Sequence, residues 1–405
     1  MRAQHTPHFL TAFPVYSSAF LSPTQLVLGG GGGASRTGVK NKLRVYDVGD
    51  NRSITLVDEL ELERGEDAPM SMATNPEAFP LQAGTLACGV NSPEEKLKTG
   101  ENQNCRVYAF KEQKLALVGT HGTLISGDLE DFQKVTVLSP DGKLVVAAGT
   151  NSLQLLSFPS LAPVALAVKT EKEIYDVTFS QNTLVIATTA NLLVYALPSA
   201  EVKDSPSKNK KKGKQKAVVP SELELLRTVD APAAVSGSTG SNFRAARFHP
   251  ENTDILYTIS NTIPARSRAR KSTPPQAYVC KWNTKTWAAD KVRKVADKGL
   301  TTFDISPNGN LLAFGSSDCS VGLLDANTLA PLVTILKSHE FPSTTLKFNP
   351  TSRLLVSGSA DNTIRVISVP DSAEKSSWAL VILILITFLI ALLAFAAQQY
   401  AGNLL

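Results

Sequence analysis

The sequence predicts an all-β protein, a seven-bladed β-propeller, followed by one apolar helix long enough to cross a bilayer. A short unit recurs seven times: an alternating apolar strand, a turn of Ser/Asn/His-Pro type, then a second apolar strand ending in small residues. Each unit precedes a further strand, such as Leu43–Tyr46, Cys105–Ala109, Leu192–Tyr195 or Thr363–Val366. Finally, Trp378 to Ala397 offers 20 residues without a charge, the length a helix needs to span the hydrocarbon core.

In chain order the units are Phe20–Gly29, a more degenerate Phe79–Gly89, Val137–Gly149, Phe179–Ala187, Phe248–Tyr257, Ile305–Gly315 and Phe348–Gly358. They stand roughly 40 to 70 residues apart, as four-stranded blades with insertions would. Ser359-Ala-Asp361-Asn-Thr-Ile-Arg-Val366 is close to a WD-repeat blade end, although the Trp-Asp pair itself is eroded. Seven blades close radially and leave no long free sheet edge. A strand near Phe9 to Tyr16 is expected to complete the last blade.

The propeller is expected over residues 1–370, a linker over 371–377, the membrane span over 378–397 and a short tail over 398–405. The N-terminus lacks the apolar core of a signal peptide, so the propeller should face the cytosol, with Lys375 beside the span on that side. The net charge of +5 is misleading, because much of the excess sits in Lys203 to Lys216. Residues 203–219 read as a basic, disordered insertion between blades, and Arg266 to Lys271 as a basic loop. The charge therefore gives no support to nucleic-acid binding. Cys88, Cys105, Cys280 and Cys319 are scattered, which suggests neither zinc nor a disulfide framework.

One stretch stands apart. Five glycines, Gly29 to Gly33, separate the apolar run Gln25–Leu28 from a loop that ends at Asn41, after which Leu43–Tyr46 resumes a strand. A phosphate-binding P-loop would need Gly-Lys-Ser/Thr and a following helix, and neither is present. A dinucleotide fingerprint on Gly29, Gly31 and Ala34 fails because a strand follows. What remains is a solvated connector, or a loop ordered by an ion or partner that offsets its entropy cost.

Gly30-Gly-Gly-Gly33-Ala-x-x-Thr37-Gly38-Val-Lys-Asn41, after a strand containing Pro14-Val-Tyr16-x-x-Ala19-Phe20, resembles the potassium-binding loop of one family. That family is the endoplasmic-reticulum guanine-nucleotide exchange factors for the Sar-type small GTPase, whose animal member is called prolactin regulatory element-binding protein. Glu66-Asp67-Ala-Pro69-Met70 resembles the family's acid-Pro segment, and Gly89-Val-Asn91 with Thr99-Gly100 its next strand and loop. Some fungal members carry Pro at the position of Lys40, and some have Cys where this chain has Val90. The tail after the span is shorter than in some fungal members.

The resemblance implies a single-pass protein of the endoplasmic-reticulum membrane that promotes GDP release and GTP loading on the Sar-type GTPase. That exchange initiates COPII coat assembly and ER-to-Golgi transport. It implies a partner-binding loop made of Gly30, Gly31, Gly32, Gly33, Thr37, Gly38, Val39 and Asn41, with Pro69 and His339 nearby. It also implies a structural potassium ion held by backbone near Gly38 and Asn41, with Asp67 close. By the residues themselves, His339 sits where WD repeats place a structural histidine just before a blade, and it also resembles a His-x-Phe position of the family. No catalytic set is visible, so no covalent chemistry, small-molecule substrate or nucleic-acid partner is expected. The rival reading is a membrane-tethered WD-repeat scaffold without exchange activity.

Overall fold

A computed structural model describes residues 3–34, 38–74, 84–124, 128–198, 220–237, 240–264, 275–370, 382–391 and 393. The chain divides into two units, Met1–Ser368 and Val369–Leu405. The first holds seven four-stranded antiparallel sheets, the blades of a propeller. First strands of successive blades touch in a closed ring, from Val15–Phe20 in blade 1 to Ser343–Phe348 in blade 7 and back to blade 1. They line a central channel.

The recurrent Pro turns join the first and second strands, and their side chains explain why the unit repeats. In blade 3 the Ser139 hydroxyl accepts the N–H of Leu144 at 2.9 Å, and in blade 6 Ser306 does the same for Leu311. Blade 7 uses Asn349, whose Oδ1 accepts from Leu354 at 2.9 Å. Each turn thus satisfies the first donor of the second strand, and alternation of buried residues then fixes the register.

Closure uses the N-terminus, but not where the sequence placed it. The strand that completes blade 7 is His5–Phe9, paired antiparallel with Thr363–Ser368 from His5↔Ile367 to Phe9↔Thr363. Val15–Phe20 already belongs to blade 1. Between them the chain must turn from an outer edge to the ring of first strands. Ala12 adopts φ 47°, and Leu10 and Phe13 are buried against Val15, Leu28, Val356 and Ile364. Core filling at Leu10 and Phe13 is what excludes those residues from the strand.

A second device recurs on the face where second strands end and third strands begin. The residue before the third strand is asparagine in blades 1, 2, 3 and 7: Asn41, Asn104, Asn151 and Asn362. Each reaches forward to the segment entering the next blade. Asn104 Oδ1 accepts from Thr123 at 2.8 Å, Asn151 Nδ2 donates to the Thr170 carbonyl at 3.1 Å, and Asn362 Oδ1 accepts from Phe13 at 2.8 Å. Ser368, the last residue of the propeller, ends its strand on the opposite face.

In the second unit, residues 382–391 are helical, with Ile382 to Ile386, Phe388, Leu389 and Ile390 exposed. Among the described residues no helix is long and apolar enough to cross a membrane. Most of the remaining expected span lies outside the described residues, as do the insertion 203–219, the basic loop 266–271, the linker 371–377 and the tail 398–405.

His339 is locked into blade 7. Nδ1 pairs with Thr363 Oγ1 at 2.8 Å and Nε2 with Ser357 Oγ at 2.7 Å, with Asp361 3.6 Å away. Burial lowers its pKa to about 4, helped by Arg365 and opposed by Asp361. A base whose folded pKa lies below its unfolded value near 6.5 contributes stability above that value and loses it as pH falls toward about 4. The melting temperature of the wild type should therefore decline through this window. His339→Gln should start lower at neutral pH but decline less steeply; parallel curves would exclude His339 as the titrating group.

Candidate functional site: the glycine loop of blade 1

The five glycines do two different jobs. Gly29 and Gly30 are the last residues of the strand Gln25–Gly30, and both are places of close approach. A Cβ on Gly29 would come within 2.7 Å of Pro69 and 2.9 Å of Met72. One on Gly30 would strike the Pro14 carbonyl. Only from Gly31 does the run become loop. Gly31 has φ 142°, Gly33 φ 70° and Gly38 φ 79°, backbone states that a side chain disfavours. Thr37 lies outside the described residues.

Asn41 closes the loop. Its Oδ1 accepts the N–H of Gly33 at 2.9 Å, and its Nδ2 donates to the Gly33 carbonyl at 3.0 Å. The same Nδ2 donates to the Glu66 carbonyl at 2.7 Å, as the forward-reaching asparagines do elsewhere. Asn41 is only 9% exposed, so these bonds replace water rather than compete with it. Its amide thus holds two segments at once, the glycine loop and the acid-Pro segment.

That segment is itself tightly held. Glu66 forms a buried ion pair with Arg106 at 2.6 Å, both side chains 6% exposed, and its Oε2 accepts from the Glu63 N–H at 2.9 Å. Asp67 N–H donates to the Asn91 carbonyl at 3.1 Å, and Met70 N–H to the Gly89 carbonyl at 3.0 Å. The Pro69 carbonyl accepts the Ser17 hydroxyl at 2.5 Å. Through Glu66 and Asp67 the acid-Pro segment is thus bonded on one side to Asn41 and on the other to Asn91.

Asp67 is the acid turned toward the loop. Its carboxylate accepts from Ala68 N–H at 2.7 Å and from Ala34 N–H, and a Cβ on Gly33 would lie 3.3 Å from its Oδ1. Burial pushes its pKa up, and the two N–H donors pull it back. No ion pair between Asp67 and a basic side chain is formed among the described residues. Tyr16 stands near enough that, after its own burial, the Asp67 charge raises its pKa further.

Gly38 and Val39 lie on the outer part of the loop, with open space around the Gly38 Cα. His339 joins none of this; its ring nitrogens are spent inside blade 7. The residue that the sequence reading missed is Arg106. Its signal was there, a cation between Cys105 and Val107 in a strand that carries no other charge until its last residue, Lys111.

The WD domain, G-beta repeat, matches residues 330–368, the outer strand of blade 6 and most of blade 7. The chain is 26% identical over 387 residues to the guanine nucleotide-exchange factor SEC12 of Candida glabrata, covering 92% of this chain and 74% of that protein. Over most of its length the chain is thus similar to SEC12-type exchange factors. Mouse SEC12 is 21% identical over 95% of this chain and 96% of its own. The putative exchange factor SED4 of Saccharomyces cerevisiae is 22% identical over 92% of this chain, which spans only 32% of that longer protein. The SEC12 likeness thus covers more than nine tenths of the chain.

Two substitutions test the loop geometry. Gly31→Ala would place a Cβ within 2.7 Å of the Lys40 carbonyl and against Asn41, so it should break the Asn41–Gly33 pair. Gly38→Ala meets nothing within 4 Å and should cost only backbone strain, about 1 to 2 kcal/mol. Thermal unfolding should show Gly31→Ala as the more destabilised of the two. The reverse order would contradict the geometry.

Proposed function

We propose that this chain is a membrane-anchored guanine-nucleotide exchange factor for the Sar-type small GTPase. It acts at the endoplasmic reticulum, where GTP loading initiates COPII coat assembly and ER-to-Golgi transport. The observation that carries the reading is the likeness to SEC12 factors along nearly the whole chain, with the glycine loop built as a closed, braced element. A scaffold without exchange activity has no need for such a loop.

Exchange requires no covalent chemistry from the factor. A partner that binds the nucleotide-free GTPase more tightly than the loaded one weakens nucleotide binding by the same factor. The loop from Gly30 to Asn41 supplies that contact, with Gly38 and Val39 presented outward and Asn41 and Pro69 fixing its base. The hold of Asn41 on Gly33 before the encounter lowers the entropy cost of binding.

A potassium ion would complete this ordering. Hard monovalent cations take oxygen ligands, and loop carbonyls with the Asp67 carboxylate fit that chemistry. Asp67 suits the charge-balancing role because no basic side chain is paired with it among the described residues. Asn41 fits less well as a ligand, because its amide is committed to Gly33 and Glu66. When bound, the ion would neutralise converging oxygen dipoles; the residues themselves set the shape.

Residues 378–397 form the anchor in this reading, with the propeller in the cytosol and residues 398–405 in the lumen. Apolar side chains exposed over Ile382–Ile390 are what a lipid-facing helix presents. Membrane lipid is thus the second partner.

The test is release of fluorescent GDP from a purified Sar-type GTPase, with the full chain in vesicles. Release should accelerate with the chain and be faster in potassium than in sodium. No acceleration would leave the scaffold reading in front. Equal rates in the two salts would remove the ion while leaving the exchange activity.

A further inference from the structure

We propose that Arg106 and Glu66 are positioning residues for the glycine loop, so that blade 2 sets the conformation of a loop carried by blade 1. The effect on activity rests on the exchange-factor reading; the effect on the loop does not. The chain of contacts is continuous. Arg106, on the third strand of blade 2, pairs with the Glu66 carboxylate at 2.6 Å, and its Nε donates to the Gln103 carbonyl at 3.2 Å. The second carboxylate oxygen of Glu66 takes the Glu63 N–H, so the side chain holds its own backbone in place. The Glu66 carbonyl then takes the Asn41 amide, and that amide grips both polar groups of the Gly33 peptide.

Two observations separate this from ordinary structural support. The equivalent asparagines reach Thr123, Thr170 and Phe13, none of which carries a charge that an ion pair behind it would orient. Among the described residues, only the asparagine that closes the glycine loop is bonded to a residue held by a buried ion pair. A buried ion pair also adds little net stability over an apolar pair of similar volume. What the apolar pair lacks is direction, and direction at the Glu66 carbonyl is what Asn41 needs.

The experiment uses the full chain in detergent and the double variant Glu66→Leu/Arg106→Met, which fills the same space without charge. Amide hydrogen exchange should show protection at the Gly33 N–H falling about tenfold, the loss of roughly one buried hydrogen bond. Protection in the strands of blades 4 to 6 should stay as in the wild type. GDP release should slow by a similar factor, and the double change should add nothing further in an Asn41→Ala background. Should the double variant lose protection everywhere, Glu66→Gln with Arg106 intact is read the same way, for local loss at Gly33. Unchanged protection at Gly33, or effects that add fully to Asn41→Ala, would overturn the proposal. If the wild type itself accelerates no release, the exchange reading fails, and protection at Gly33 still decides the positioning role.

Discussion

The carboxamide of Asn41 is the interaction on which the site depends. Glycines from Gly31 onward have no intrinsic reason to hold one shape, since each is free to visit many backbone states at little cost. One buried amide with three hydrogen bonds removes that freedom at Gly33 and ties the loop to the Glu66 carbonyl. The stabilisation is local, worth about 1 to 3 kcal/mol if lost. Against a fold stability of about 5 to 15 kcal/mol, that is enough to disorder a loop and too little to open a propeller. Order in the loop and stability of the fold therefore separate at this residue.

The same side chain shows how a repeat can be adapted. Asn151 and Asn362 make the forward bond that joins one blade to the next, and Asn104 makes several, to Thr123, Leu124 and Gln133. Asn41 keeps that bond and adds the grip on Gly33. Blade 1 thus braces a long loop without a new fold, by lengthening one connection and enlisting a bond already present at that position.

Much of the propeller could be read directly because its signals are local. Ser139, Ser306 and Asn349 accept from residues only five positions on, so the turn chemistry repeats visibly along the chain. The closing strand was misplaced because its signal is not local. His5–Phe9 has little apolar alternation, an exposed Phe9, and a partner strand at the far end of the propeller. Buried Leu10 and Phe13 looked like strand, although they plug the core between blades 7 and 1. The glycine run was similarly ambiguous. Nothing near Gly29 announces Pro69 and nothing near Gly30 announces a clash with Pro14, so five glycines read as one loop when two of them are strand. Gly38, Asn41, Asp67 and Pro69 were singled out through likeness to a family. Arg106, lying 40 residues from its partner Glu66, was not.

The most direct measurement is the rate of GDP release from the Sar-type GTPase driven by Asn41→Ala, with its melting temperature taken on the same preparation. A loop held by this amide predicts that most of the acceleration disappears while unfolding stays cooperative and shifts by only a few degrees. A folded Asn41→Ala protein that releases GDP at the wild-type rate would contradict it.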